Sequence, residues 1–287
     1  MHKRTRLSLL LVLCLLLSLL VSCGGGGEYG NVDEGELRIH FFDVGQGDAA
    51  LIRTAEAVIL VDTGDVDPEI TEELLKKLRD QGIAEIDCLV LTHPHADHIG
   101  GAAEILAEFP VGECLMPNAV SEGDVFSHLL DALFESGATV TEAYAGRTFT
   151  YGDVTVEVLA PGRRVYAELN DHSVVLRIVF GECSILMTGD AELVSEAEML
   201  AAFGNDGLSA TLLKVPHHGA DTSLSDELLA AVAPEYAVIS CGAGNFYGHP
   251  HPDTLKKLAR AGVRVLRTDT SGDVVFLWDG EELILQE

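Results

Sequence analysis

The sequence has little positive charge. Its 287 residues carry 18 lysines and arginines against 46 aspartates and glutamates, a formal net charge of −28 at pH 7. A surface of that sign repels polyanions unless cations intervene, and no basic stripe of the kind that grips nucleic acid is visible. Long apolar runs are also scarce. The one that stands out, residues 7–22, falls short of the ~20 residues that a membrane-spanning helix needs. No Pro/Ser-rich linker, charge block or internal repeat divides the remainder, so one large domain is expected rather than an array or a tandem. Cysteines number 6, and none has zinc-finger spacing.

The N-terminus reads as an export signal. "MHKRTR" is basic, "LSLLLVLCLLLSLLVS" is apolar, and small residues close the run. It ends Leu20-Val21-Ser22-Cys23, which resembles a bacterial lipobox. By that resemblance residues 1–22 are removed as a lipoprotein signal peptide and Cys23 is lipidated. An uncleaved anchor is the alternative. Residues 23–36, largely "GGGGEYGNVDEGE", are expected to be a flexible tether, and residues 37–287 the globular domain. The expected location is extracytoplasmic, anchored by lipid to a bacterial membrane. Cleavage removes Lys3, Arg4 and Arg6 and no acid, so 18 basic side chains become 15 and the charge becomes −31. Acidity of this kind serves solubility first. Cys88, Cys114, Cys183 and Cys241 remain, each in an apolar strand-like run. They can form disulfides in any of three pairings, or stay as four buried thiols.

Strand-like runs broken by glycine or charged turns recur along the domain: "ELRIHFFDVG", "AALIRT", "AVILVDTG", "IDCLVLT" and "ECLMP" in the first half, then "GATVTEA", "TFTYG", "VTVEVLAP", "SVVLRIVF", "CSILMTG", "ATLLKVP" and "YAVISCG", with "VRVLRT" and "VVFLWD" at the end. Helices fall between them. "DPEITEELLKKLRDQG" has Asp67 as cap, Pro68 at its first position and Gly82 as stop. "SEGDVFSHLLDALFESG" offers Ser121 as cap. Strand clusters with interspersed helices imply an α/β (α+β) fold of two sheets packed face to face, with helices outside.

Four metal-capable side chains follow the strand "IDCLVLT": His93, His95, Asp97 and His98, in "THPHADHIGG". Residues two apart in an extended segment point the same way, so His93 and His95 can grip one metal. Asp97 and His98 fall where the chain turns into a helix and can face a second. Gly100 and Gly101 let that helix pack close. Imidazole suits Zn²⁺, with Mn²⁺ or Fe served where carboxylates share the site. One loop cannot fill two coordination shells. "SILMTGD" ends a strand in Asp190, a carboxylate able to bridge two metals. "LLKVPHHGAD" ends another in His217 and His218, of which one is expected to be a ligand and the other to meet substrate. "NDHS" places His172 just before a strand. His40, His128 and His251 are read as core or surface histidines.

The order HxHxDH, strand-edge His, TGD, HHG resembles the metallo-β-lactamase fold superfamily of binuclear hydrolases. "FFDVGQGDAALI", "ILVDTG", "THPHADHIGG", "NDHS", "LMTGD", "KVPHHG" and "YGHPHP" resemble the hydrolase domain of ComEC-type competence proteins, over nearly all of residues 37–287. The resemblance implies a four-layer αββα sandwich and two divalent metal ions, Zn²⁺ first. It assigns His93, His95 and Asp190 to one metal, and Asp97, His98, Asp190 and one of His217 and His218, His218 first, to the other. His217 and His249 become substrate-facing catalytic groups, and Asp62 and Asp48 supports for the metal loops. His172 stands where the wider superfamily has a His ligand, and is expected to strengthen the first site although the ComEC-like branch often has Asn there. Unlike ComEC-type proteins, the sequence carries no polytopic channel segment, so DNA uptake itself is not expected. The implied activity is hydrolysis of a phosphodiester, DNA or a small or wall-linked diester of the phosphocholine type, by a metal-bridging hydroxide. Opening of a lactone or β-lactam is a remoter alternative, because a bare site fixes hydrolysis rather than substrate. Partners are this substrate and, through the lipid, the membrane.

Overall fold

The computed structural model describes residues 31–286. The signal segment, Cys23 and the tether up to residue 30, with Glu287, lie outside the described residues. The domain opens with β1 (Leu37–Phe41), β2 (Ala50–Arg53) and β3 (Val58–Val61), joined by the loop 42–49 and the turn 54–57 and paired antiparallel, with Ile39 opposite Ile52 and Ala50 opposite Val61. Helix α1 (Pro68–Asp80) then carries the chain over to β4 (Ile86–Val90), which runs parallel to β3. β5 (Val111–Met116) and β6 (Thr139–Glu142) extend the parallel part. The change of direction follows from the connections, since loops without a helix reverse a strand and crossover helices restore its sense.

The second half repeats this plan. β7 (Thr148–Tyr151), β8 (Val154–Ala160), β9 (Val175–Phe180) and β10 (Cys183–Met187) are antiparallel, and β11 (Leu212–Lys214), β12 (Tyr236–Ile239) and β13 (Arg264–Arg267) add on in parallel. β14 (Val274–Trp278) and β15 (Leu283–Gln286) return to the first sheet. The first sheet has 8 strands in the order β15-β14-β1-β2-β3-β4-β5-β6, and the second has 7 in the order β13-β12-β11-β10-β9-β8-β7.

Alternation along the strands builds three apolar layers. Ile39, Ile52, Ile59 and Cys88 point inward and meet Ile178, Ile185 and Phe276 between the sheets. Leu51, Leu60 and Leu89 point outward onto Leu74, Leu78 and Ile105 of the helices. On the far side Leu186, Leu213 and Ile239 pack under Met199, Leu228 and Leu258. The result is the αββα sandwich expected from the sequence.

Local signals are met unevenly. The Asp67 side chain accepts from the Glu69 N–H at 2.9 Å, Pro68 opens α1, and Gly82 follows it with φ +72°. Ser121 is not a cap. The helix Asp124–Ser136 starts after Gly123, at φ 154°, with no side-chain cap. A further strand, β15, has no counterpart among the runs read from the sequence. Its four residues "LILQ" carry little signal alone, and they form a strand because Trp278 and Leu283 pair across a tight turn. All four domain cysteines are free, buried thiols. Burial pushes Cys114 and Cys183 up to about 12 and Cys241 up to about 11.

Candidate metal centre

The C-terminal ends of the parallel strands β4, β10 and β11 open onto one edge of the sandwich, where sheets of this kind present ligands. His93 lies just past β4. His95 precedes the one-turn helix Ala96–Ile99, which carries Asp97 and His98. That turn is pressed against the rest of the edge. A Cβ on Gly100 would collide with the backbone of Asp65 and Val66, and one on Gly101 would come 2.8 Å from the Thr63 carbonyl oxygen. The glycines are therefore what let the histidine loop sit this deep.

Asp190, after β10, stands at the centre. Its carboxylate lies 3.3 Å from His98 Nε2, 3.4 Å from His218 Nε2, 3.8 Å from His217 Nε2 and 4.0 Å from His93 Nε2. Asp97 Oδ2 lies 3.3 Å from His218 Nε2 and 3.8 Å from His98 Nε2. Asp97, His98, Asp190 and His218 thus each offer one ligand atom within 4.8 Å of the others. His93 Nε2 and His95 Nδ1, 2.9 Å apart, form a second pair beside them. The donor set fits divalent cations on a direct observation. His98 Nε2, Asp190 Oδ1 and His218 Nε2 are buried, converge, and have no hydrogen-bond partner. Buried polar atoms are nearly always satisfied, and a cation between these three would satisfy them.

The opposite ring nitrogens explain the aim. His98 Nδ1 donates to Asp62 Oδ2 at 2.8 Å, and Asp62 in turn accepts from the Thr92 N–H at 2.8 Å and hydroxyl at 2.7 Å. His218 Nδ1 donates to the Ser240 carbonyl at 2.9 Å. Both tautomers are fixed with Nε2 facing the centre. Asp62 itself has φ +59°, a left-handed conformation retained at a site that needs its carboxylate there. Asp48 sits behind the cluster, 3.4 Å from His218 Nδ1, with its N–H donating to the Asp97 carbonyl at 3.1 Å.

Charge is tightly balanced. Burial would raise Asp190, but His218 and His98 outweigh it and hold the carboxyl well below its ordinary value. Burial would lower His98 and His218, but Asp190 with Asp62 or Asp48 raises both well above the ordinary imidazole value. Both shifts are the response of the rings to the carboxylate charge gathered around them, which a cation would also answer. Burial, reinforced by His98, keeps His93 well below the ordinary value.

His172 does not join the cluster. Its Nε2 accepts from the Tyr166 N–H at 3.2 Å, its ring packs edge-on against Tyr166 at 5.0 Å, and it lines a neighbouring cavity. The turn Asn170–His172 presents Asn170 to the centre instead, with Nδ2 3.4 Å from His217 Nε2 and Oδ1 buried without a partner. The other sequence-chosen groups gather at an opening of about 320 Å³ lined by His95, Asp97, His217, His249 and Tyr247. His217 Nδ1 lies 3.0 Å from Glu192 Oε1. His249 stacks on Tyr247 at 5.5 Å, and burial pushes it down to about 4. His40 is buried against Asp273, His128 is exposed on its helix, and His251 accepts from the Asp221 N–H at the rim. Sequence reasoning missed Lys214. This fully buried lysine forms an ion pair with Asp48, donates to the Gly189 carbonyl at 3.3 Å and lies 4.0 Å from Asp190 Oδ1. A lysine inside "ATLLKVP" is the signal that was available.

The family model described as the metallo-beta-lactamase superfamily matches residues 42–243. The chain is 32% identical over 259 residues to ComE operon protein 3 of Bacillus subtilis, covering 85% of this chain and 33% of that protein. It is 33% identical to competence protein ComA of Neisseria gonorrhoeae, with 85% and 33% covered, and 32% identical to recombination protein 2 of Haemophilus influenzae, with 87% and 30% covered. The chain therefore spans about a third of these relatives' length. Among solved structures, the metallo-beta-lactamase fold protein YhfI of Bacillus subtilis superposes with a TM-score of 0.57 at 14% identity, covering 84% of this chain and 99% of that one. Igni18, a metallo hydrolase of Ignicoccus hospitalis, gives 0.56 at 18%, covering 84% and 98%. These two likenesses concern the fold.

Proposed function

This chain belongs to the metallo-beta-lactamase superfamily and is a metal-dependent hydrolase of that fold related to ComEC-like competence proteins, and from that premise we propose that it is a two-metal phosphodiesterase, nuclease-like in its preference. We further propose that it works outside the cytoplasm, tethered to the membrane by a lipid on Cys23. The observation that carries the reading is the convergence of His98 Nε2, Asp190 Oδ1 and His218 Nε2, three buried and unpartnered atoms, beside the His93–His95 pair. His93, His95 and Asp190 would hold one ion, and Asp97, His98, Asp190 and His218 the other.

Bound divalent ions, Zn²⁺ first, supply a water activated at neutral pH and neutralise charge growing on phosphoryl oxygens. The chain's own groups do the rest. Asp62 keeps His98 in the tautomer that presents Nε2. Glu192 accepts from His217 Nδ1, which turns Nε2 toward the opening as the acceptor end of the ring, able to take a hydrogen bond or a proton from the attacking or substrate side. His249, uncharged at neutral pH because burial lowers it to about 4, offers a hydrogen bond without adding charge. Nucleic acid is favoured as substrate by relatives named for competence and recombination. The −28 charge favours a second reading, a small or wall-linked phosphodiester.

The test is hydrolysis by the mature chain loaded in turn with Zn²⁺ and Mn²⁺. Bis(p-nitrophenyl) phosphate and a labelled single DNA strand are offered in parallel, with Asp97→Ala as blank. Cleavage of the strand that the variant lacks is the expected result. Cleavage of the small diester alone selects the second reading, and cleavage of neither refutes both.

A further inference from the structure

An enzyme this acidic needs local positive charge to hold a polyanion. Much of what it has is already matched: Lys76 to Asp80, Arg79 to Glu72 and Glu108, Arg177 to Glu157, Lys214 to Asp48, and Arg267 to Asp269. One wall departs from this pattern. Arg163 and Arg147 flank the Tyr144 ring, their guanidinium carbons 4.5 Å and 5.4 Å from its centroid. Arg163 is exposed, and among the described residues no carboxylate forms an ion pair with it. Arg164, next in the chain, lies over Tyr166 at 4.4 Å and shares its charge with Glu198 at 2.7 Å.

Arg163, Arg164 and Tyr144 border an open cavity of about 310 Å³ whose walls also include Asn118, Glu142 and His172. Glu142 is the acid among its lining residues, and its backbone carbonyl accepts from Arg147 Nη1 at 2.5 Å. The cavity adjoins the metal centre. The single turn Asn170–His172 gives Asn170 to the metal opening and His172 to this one. Because His172 Nε2 accepts a hydrogen bond, its proton is on Nδ1, a further donor.

We propose that this cavity is a subsite for a flanking phosphate of a single-stranded nucleic acid whose scissile phosphate lies at the metal centre. The proposal rests on the phosphodiesterase reading and names its substrate class. Arginine forks match phosphate oxygens in paired hydrogen bonds, and stacking on Tyr144 holds the Arg163 plane in place. Two exposed aromatic side chains at the other opening favour nucleic acid over a glycerol-phosphate polymer. Tyr247 lines that opening at 67% exposure, and the adjacent Phe246 is fully exposed. Such rings bind bases by stacking and gain nothing from a polymer without bases.

The experiment is fluorescence anisotropy of a labelled oligothymidylate with the metal-loaded mature chain, in an Asp97→Ala background so that the strand survives. Adding Arg163→Ala and Arg164→Ala together is expected to weaken binding on the order of tenfold at low salt. The log–log salt dependence should become shallower by roughly 0.7 per arginine. Arg163→Lys, which keeps the charge, should recover part of the loss. With Asp97 intact, the double arginine variant should hydrolyse bis(p-nitrophenyl) phosphate at the parent rate. Unchanged affinity and salt slope would overturn the subsite, and so would displacement of the strand by a glycerol-phosphate oligomer at equal phosphate concentration. Arginine-dependent binding by an enzyme that hydrolyses no diester would leave the subsite standing and remove the proposed activity.

Discussion

Replacing Lys214 with methionine isolates the charge balance behind the metal centre. The lysine is 1% exposed, paired with Asp48, 3.3 Å from the Gly189 carbonyl and 4.0 Å from Asp190 Oδ1. Methionine fills much the same volume, so the change removes charge and little packing. Breaking one partner out of a buried ion pair destabilises by about 3–5 kcal/mol, because the other charge is left without compensation. That is a large share of the ~5–15 kcal/mol that holds a typical domain together. The pH dependence has a definite sign. In the parent, burial raises Asp48 but Lys214 and His218 outweigh it and hold the carboxyl below its ordinary value. Its contribution is therefore present above about pH 4 and lost as pH falls through the folded value. Without Lys214 the balance shifts toward burial, with His218 and His98 limiting the change; Asp48 moves upward from its held-down value, and the deficit narrows on acidification as the carboxyl takes a proton. Urea unfolding of the metal-free protein at pH 7.5 and at pH 5 should show the deficit shrinking at the lower pH. Asp48→Asn on top of Lys214→Met should recover at least half of it at pH 7.5. A loss under ~1 kcal/mol at pH 7.5, or a double variant no better than the single, would refute the argument that this ion pair balances the site.

Asp97→Ala should cut hydrolysis by several orders of magnitude and bound metal from two ions to one, with the far-ultraviolet spectrum unchanged; parent turnover in this variant would remove Asp97 from the ligand set. His98 and His218 stand well above the ordinary imidazole value in the metal-free protein, so their protons stabilise it fully below pH ~6.5 and this contribution fades as pH rises through the folded values. Metal must displace those protons, so calorimetry in buffers of different ionisation heat should record release of about two per protein and an affinity that climbs with pH. An affinity flat between pH 6 and 8 would contradict this. Cys88, Cys114, Cys183 and Cys241 should resist a thiol reagent until the chain unfolds, and reactivity in the native state would show that their burial is not maintained. Cys23→Ser should release the protein from membranes, whereas continued retention would point to an uncleaved anchor.

Most members of this candidate cluster were legible in the sequence because four of them lie in one short stretch. His93, His95, Asp97 and His98 come from one loop whose strand-to-helix geometry fixes their directions, and Asp190 and His218 each end a strand. The two errors share a physical cause. His172 was placed by its position before β9, but its ring direction is set by a short turn and by the Tyr166 N–H six residues earlier, and neither has a periodic signature. Lys214 looked like an ordinary strand residue because a buried lysine is recognisable only once its partner is known, and Asp48 is distant in sequence. The Ser121 cap failed in a similar way. The residue type suits a cap, but the chain entered the helix at Gly123 instead. Sheet order was legible only in outline. The sequence separates strands from helices, whereas the return of β14 to pair with β1 is a long-range contact.

The arrangement of ligands between the two sheets has a consequence for how the protein lasts. His93, His95, Asp97 and His98 follow β4 in one sheet, and Asp190 and His218 follow β10 and β11 in the other. Ions held among them would add a rivet between two layers joined along this edge by side-chain contacts and by the hydrogen bond from the Val174 N–H to the Thr92 carbonyl at 2.8 Å. A ligand present at a hundred times its dissociation constant adds about 2.7 kcal/mol to the folded state. A molecule starved of metal would therefore be idle and also loosest at its working edge, where local opening exposes backbone to proteases. Turnover of the polypeptide would then follow the metal supply of its surroundings, and unmetallated copies would be cleared without any dedicated sensor.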